Sequence, residues 1–515
     1  MIGYRARGRG IDDAGGDGNA AYGMNKPDPR AAISPNRADD APYVFSPAIL
    51  PGIVRGLDIV MIMIAAAISY TFLAGRYEYF DEYYTFSTIF VGFIFLVLAN
   101  RADLYDVNAI MRPLKRADDI MVAVITAFLL LLSMAFSLKV SESFSRLWMF
   151  GFAGGGIVTL VAGRLAVCGL LKRLSRRHMV GRNLVVLGTG AQAQRFLRRF
   201  SGINPYFARI VGVYADRDAP TAGAWADACD EGLRGVPLLG GLDALLRAAR
   251  AGKIDDVVVA LPWNADKEVA QAIERLKELP VNVYLSSDLV GFELAFRPVL
   301  GAFSDLPMFE VVQRPISGWS SALKALEDYV LATLILIVIS PLLLAIAVAI
   351  KLDTPGPVFF MQRRLGFNNK EFLIYKFRSM HHRKQPETVV QQARKGDPRV
   401  TRVGRLIRAT SLDELPQVLN VLNGTMSLVG PCPHALSHNE EYGRQIRGYF
   451  ARHRVKPGIT GWAQVNGLRG ETEALEKMTA RIEHDVYYAE NWSLLFDLRI
   501  LILTAIVVFF QKSAY

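Results

Sequence analysis

The chain has 515 residues, a formal net charge of +11 and 51% hydrophobic residues, so its length predicts about three domains and its apolar content excludes global disorder. Three cysteines, Cys168, Cys229 and Cys432, share no paired spacing, which argues against a disulfide framework or a thiolate metal cage. The cationic excess has to face an anion: nucleic acid, lipid headgroups or a phosphorylated substrate.

Residues 1–45 are rich in Gly, Ala, Asp, Arg and Pro and read as a disordered tail; no apolar run follows Arg5, Arg7 and Arg9 to make a signal peptide. Four apolar stretches come next, at about 57–75, 83–100, 120–138 and 147–171. Each approaches the ~20 residues that cross a bilayer. Arg101, Arg112, Lys115 and Arg116 lie between the second and third, and Lys172, Arg173, Arg176 and Arg177 follow the fourth. The positive-inside rule then places both ends of this bundle in the cytoplasm, with Arg164 close enough to that side to snorkel.

From 182 the pattern changes. Asn183–Leu187 reads as a buried parallel strand, with further strands at Ile210–Tyr214, Asp256–Ala260 and Val281–Leu285 and helical stretches between them. This βαβ alternation predicts a parallel sheet with helices on both faces. Gly188, Gly190 and Ala193 form a Gly-x-Gly-x-x-Ala turn between strand and helix, a candidate nucleotide turn, and Asp216 stands 26 residues after Gly190 as a candidate ribose ligand. Redox chemistry has little support: the Tyr-x-x-x-Lys spacing occurs only at Tyr22 and Lys26, in the tail.

A fifth apolar run, Tyr329–Ile350, carries Ser340-Pro341 at its middle. Proline removes a helical hydrogen bond, which leaves either a kinked spanning helix or two half-helices that enter and leave on one side. The flanks favour the second, because residues 351–412 hold 14 Lys/Arg against 4 Asp/Glu and belong in the cytoplasm. The last run, Leu494–Phe510, is interrupted by Asp497 and Arg499 and suits the membrane interface.

The chemistry concentrates between these runs. Arg402, Arg405 and Arg408 recur every third residue, and Asp413-Glu414 is an isolated acidic pair in a basic setting. Arginines cradle diphosphates; a carboxylate holds Mg²⁺ or attacks phosphorus. Ser411-x-x-Glu414 also matches a capping box. Pro416 argues against that and fits better as the first residue of a helix, with the acidic pair at its mouth. His434 and His438 are four apart, as in zinc pairs, without a third ligand.

These residues carry a resemblance. Lys376-Phe377-Arg378-Ser379-Met380, Thr410–Gln417, Ser427–Pro431 and Lys456–Gly467 closely resemble the catalytic unit of bacterial polyprenyl-phosphate hexose-1-phosphate transferases. With the preceding bundle and βαβ domain, the chain is similar to the large form of that family. The resemblance implies transfer of a sugar 1-phosphate from a UDP-sugar to undecaprenyl phosphate with release of UMP, at the start of exopolysaccharide assembly. It implies Asp413 as nucleophile, Glu414 as a Mg²⁺ ligand, and Lys376, Arg378, Arg405, Arg408 and Gln417 near the substrates. Ser340-Pro341 would be the family's re-entrant helix break. Pro433-His434-Ala435 with His438-Asn439-Glu440 looks like the branch that uses UDP-glucose. One departure stands out: Cys432 occupies the place of the family's usual arginine.

The expected fold class is therefore membrane α plus α/β. It comprises a four-helix transmembrane bundle (46–177), a Rossmann-like parallel-sheet domain (178–305), a linker (306–321) and a monotopic catalytic domain (322–515) with a re-entrant broken helix at 325–352. The expected setting is the bacterial inner membrane, with the active site cytoplasmic and the chain a homodimer. A channel gated by a nucleotide sensor would share the spans, but there is no Thr-Val-Gly-Tyr-Gly filter, and ionisable residues within the spans are few beyond Asp58 and Arg164. A nucleic-acid partner is not expected, because no stacking platform accompanies the basic residues.

Overall fold

The computed structural model describes residues 47–74, 82–140, 145–176, 179–203, 207–216, 225, 235–262, 265–286, 308–381, 397–468 and 475–510. The tail at 1–45 lies outside them. Four long helices open the chain: α1 (Leu50–Ser69), α2 (Glu82–Arg101), α3 (Ala117–Ser137) and α4 (Arg146–Arg176). They pack on one another through Phe95, Phe128, Trp148 and Phe152. Gly155 of α4 faces Ala65 and Ser69 of α1, while at Gly151 a Cβ would stand 2.1 Å from the Leu73 side chain, so that position needs its missing side chain. Their outward faces expose Ile89, Phe93, Leu129 and Phe150. A helix apolar on both faces suits lipid rather than water. By length and composition all four can cross a membrane, as can a fifth helix described below.

Arg164 does not snorkel. Its guanidinium is 2% exposed and sits inside the helix packing, 2.6 Å from Asp58 and donating to the Leu104 carbonyl. A buried charge needs a partner more than it needs the interface, and Asp58 supplies one.

The second unit is a six-stranded sheet in the order β3-β2-β1-β4-β5-β6. Its strands are β1 (Arg182–Leu187), β2 (Ala208–Ala215), β3 (Leu238–Gly241), β4 (Asp256–Val259), β5 (Asn282–Ser286) and β6 (Met308–Val312). The first five are parallel, and β6 runs antiparallel to β5. Leu184 and Val186 face α5 (Ala191–Ile203), while Val185 and Leu187 face α6 (Leu242–Arg250) and α7 (Asp266–Leu276). Burial on both faces explains why β1 reads as a continuous apolar run. Two strands were not foreseen. Leu238–Gly241 is short and glycine-ended, and Met308–Val312 falls in the stretch expected to be linker. As an edge strand, β6 needs only one apolar face, so Phe309 is exposed while Met308 and Val312 are buried.

The third unit begins with α8 (Gly318–Asp353), a single helix of 36 residues. The break expected at Ser340-Pro341 does not interrupt it. Pro341 cannot donate to the Ile337 carbonyl, but the Ser340 hydroxyl does so instead at 2.9 Å, which keeps that acceptor satisfied. Beyond it come β7 (Phe359–Leu365), β8 (Glu371–Phe377), α9 (Arg402–Ala409), a 3-10 turn (Leu412–Gln417), α10 (Val418–Leu422), β9 (Ser427–Val429), α11 (Leu436–Gln445), β10 (Gly458–Thr460), α12 (Leu475–Glu490) and α13 (Leu494–Phe510).

Both ends of α8 are fastened to this unit. Near its start, Lys324 lies 2.6 Å from Asp497 of α13, and Asp328 accepts from the Ser427 hydroxyl and the Leu428 amide. At its end, Asp353 accepts from the Val403 amide. Between the two ends, Leu334, Ile337, Val338 and Leu344 are exposed. Asp497, which breaks the apolar pattern of the last helix, is fully buried and also accepts from Tyr488 and Trp492.

The β7–β8 hairpin bridges the units. Its base packs through Val358 and Phe377 on Ile346 and Ile350 of α8. At its tip, Asn368, in the left-handed region at φ 55°, donates to the Ala249 and Arg250 carbonyls at the end of α6.

Candidate active site

The acidic pair sits on the 3-10 turn Leu412–Gln417. The α-helix begins at Val418, two residues after Pro416, so the pair is not at the mouth of a helix opened by Pro416. The capping box does not form either. Ser411 is left-handed at φ 57° and makes no side-chain cap. Glu414 turns away from the cap position, and its carboxylate meets Lys376 Nζ at 2.6 Å. The turn therefore serves the acidic pair and not the helix.

Lys376 projects from β8, and its charge is reinforced from outside. Burial alone would lower its pKa, but Glu414 and then Asp413 outweigh that and raise it. The Asp413 carboxyl is itself pushed above the usual range, first by burial and then by Glu414, with Lys376 and Arg408 pulling it back. An acid so placed is a stronger nucleophile once ionised than an exposed one, because little water screens it.

Arg408, in the last turn of α9, is the member of the arginine series whose charge acts on Asp413. Arg402 and Arg405 are exposed on the same helix, and Gln417 is buried behind the turn. Arg378 is buried within the fold. Its guanidinium donates to the Thr354 carbonyl at 2.7 Å, the Thr354 hydroxyl at 3.0 Å and the Pro355 carbonyl at 2.9 Å. Those acceptors follow the end of α8, so Arg378 closes a helix terminus.

The Pro431–Ala435 segment forms another wall. His434 pairs with the Tyr449 hydroxyl at 2.7 Å, and Arg452 donates to the Cys432 carbonyl while bridging to Asp485 at 2.8 Å. With one ring nitrogen in that hydrogen bond, His434 serves loop geometry; the His438 side chain lies outside the described residues. Among the described residues no group of three His, Cys, Asp or Glu gathers as a metal cage.

Sequence reading missed Arg364. It neighbours Glu414 and Cys432, and its signal was only a place in a basic stretch. In the α/β unit the glycine turn lies between β1 and α5: Gly188 has φ +122° and its missing side chain leaves room for the Ala260 carbonyl, 2.6 Å from where a Cβ would stand. Ala193 is fully buried under the sheet. Asp216 follows the end of β2 and is partly buried.

An acidic pair between cations, fixed against an apolar helix, defines a membrane-associated phosphate-transfer centre. Comparison with known proteins agrees. Residues 319–511 match the bacterial sugar transferase family, and residues 100–287 match a CoA-binding domain family. The chain is 40% identical over 384 residues to the UDP-glucose:undecaprenyl-phosphate glucose-1-phosphate transferase of Xanthomonas campestris pv. campestris, covering 74% of this chain and 78% of the relative. It is 41% identical over 377 residues to the protein of that name from Escherichia coli K12, covering 72% and 76%. The Caulobacter vibrioides protein of the same name is 41% identical over 286 residues, 56% of this chain and 99% of the relative. The chain belongs to the bacterial sugar transferase family, as a membrane-associated polyprenyl-phosphate hexose-1-phosphate transferase.

Proposed function

We propose that this chain transfers glucose 1-phosphate from UDP-glucose to undecaprenyl phosphate and so begins assembly of an exopolysaccharide repeat. The relatives' names carry the donor and acceptor; the chemistry rests on Asp413, half-buried and under the charges of Lys376 and Arg408. In the first half-reaction an Asp413 oxygen bonds to the sugar-bearing phosphorus, and UMP departs with the bridging oxygen. In the second, a phosphate oxygen of the lipid attacks the same phosphorus and frees the Asp413 carboxylate. Lys376 holds Glu414 in place and keeps positive charge at the phosphates.

Two adjacent carboxylates suit Mg²⁺, which binds through one or two acids together with substrate phosphates and needs no protein cage. Glu414, with Asp413 beside it, would hold the ion. When bound, it would neutralise charge on the diphosphate oxygens.

Re-entry of α8 from the cytoplasmic side, through a bend at Pro341 in place of a break, is supported by the anchoring of both its ends on one domain, through Asp328 and Asp353. Cysteine-accessibility labelling after residue 360 is expected from the cytoplasmic side, and labelling only from the periplasm would overturn this topology. The function is tested with a panel of radiolabelled UDP-sugars and undecaprenyl phosphate. Glucose 1-phosphate is expected in the lipid fraction; incorporation from UDP-galactose but not UDP-glucose would correct the donor.

A further inference from the structure

The β7–β8 hairpin has a direction. Its base, at Val358 and Phe377, packs on the apolar helix α8, and its tip, at Asn368, touches the α/β unit. Phe359, Phe360 and Met361 near the base are exposed apolar residues, as a membrane-facing end requires. The register pairs Phe360 with Lys376, Gln362 with Ile374 and Arg364 with Phe372. Directly paired residues share a face, so Lys376, Gln362 and Arg364 lie in sequence along one side of the hairpin, from membrane to tip. Arg364 leans back towards Lys376, because its Nη2 donates to Gln362 Oε1 at 2.7 Å. Its Nη1 reaches the Pro433 carbonyl at 3.4 Å, and a backbone bridge between Arg364 and Ala435 brings the Pro431–Ala435 wall over it. Its buried Nε has no hydrogen-bond partner among the described residues. Arg408 belongs to the helix α9, which packs through Ile407 on Ile346 and Ile350 of α8.

The acidic pair therefore has one arginine on the helix that lies against α8 and another on the hairpin strand that runs towards the tip. We propose that Arg364 binds the phosphate of the nucleotide half of the sugar donor, leaving Arg408 for the lipid phosphate. This rests on the sugar-phosphate transfer described above. On this reading the nucleotide of the water-soluble donor lies along the hairpin side of the pair, where Arg364 stands. When an Asp413 oxygen bonds to the sugar-bearing phosphorus, the bond to the bridging oxygen breaks and its electron pair leaves on UMP. Arg364 neutralises that charge with its planar fork of donors.

The test is the kinetics of full-length Arg364→Gln, which retains polar contact with Gln362 but loses the charge. KM for UDP-glucose is expected to rise about tenfold and inhibition by UMP to weaken in parallel, with KM for undecaprenyl phosphate unchanged. A merely structural role would raise both KM values together, and that result, or an unchanged KM for UDP-glucose, would overturn the proposal. Should Arg364→Gln not accumulate folded, Arg364→Lys keeps the charge without the fork. It is expected to weaken UDP-glucose severalfold and leave the lipid untouched; unaltered UDP-glucose binding would count against Arg364. Absence of UMP from the parent enzyme would instead fail the transfer reaction itself, so the two readings fail separately.

Discussion

Lys376 Nζ lies 2.6 Å from Glu414 Oε1, and this pair sets the charge around Asp413. In the proposed transfer Asp413 acts ionised, so activity is expected to fall as pH drops through its pKa. Burial and Glu414 raise that pKa, while Lys376 and Arg408 lower it. Lys376→Met is therefore expected to move the acid limb of the pH–kcat/KM profile to higher pH, and Glu414→Gln to move it lower. Acid limbs that stay in place in both variants would detach Asp413 from the rate.

Arg378 is expected to matter for stability more than for substrates. It holds three oxygens of the Thr354-Pro355 turn. Hydrogen bonds from a charged donor contribute about 1.5–3 kcal/mol each, and they are not additive. Arg378→Ala should lower the melting temperature of the detergent-solubilised protein clearly, with the KM values of surviving enzyme near those of the parent. A raised KM without loss of stability would return Arg378 to the substrate site.

The Asp58–Arg164 pair offers a second stability test. Removing one partner of a buried pair costs about 3–5 kcal/mol, whereas replacing both with apolar residues is often neutral. Arg164→Met alone should destabilise strongly, and the double variant Asp58→Leu/Arg164→Met should recover most of the loss. Thermal unfolding in one detergent, compared across the three proteins, measures this.

His453 packs under the hairpin tip against Asn369, and burial pushes its pKa down to about 3, with Arg452 adding to the effect. The unfolded state takes up a proton near the ordinary histidine value of about 6.5, so stability is lost as pH falls below that value. Relative to the parent, His453→Gln is expected to show a smaller fall in melting temperature between pH 7 and pH 5 (about two units across the ordinary histidine range). Parallel slopes would mean His453 is protonated in the fold.

Much of this was legible in the residues. Periodicity located the apolar helices and the four inner strands, because each is buried in the way its pattern states. The acidic pair was legible as charge against background. Local rules failed where tertiary partners decided. Pro341 sits inside a helix because Ser340 supplies the missing bond. Arg164 found Asp58, 106 positions away, and Arg378 found a helix end. Arg364 was hidden because its role follows from hairpin register and from the Pro433 carbonyl, 69 positions distant.

The proposed transfer turns on a covalent phosphosugar at Asp413. The most direct measurement incubates the full-length protein with UDP-glucose labelled in the sugar, Mg²⁺ and no lipid acceptor, and counts label on protein against UMP released. Label on the parent in equal amount to UMP, lost on adding undecaprenyl phosphate and absent from Asp413→Asn, is the expected result. An Asp413→Asn protein that still forms the labelled species, or still turns over with lipid, would contradict it.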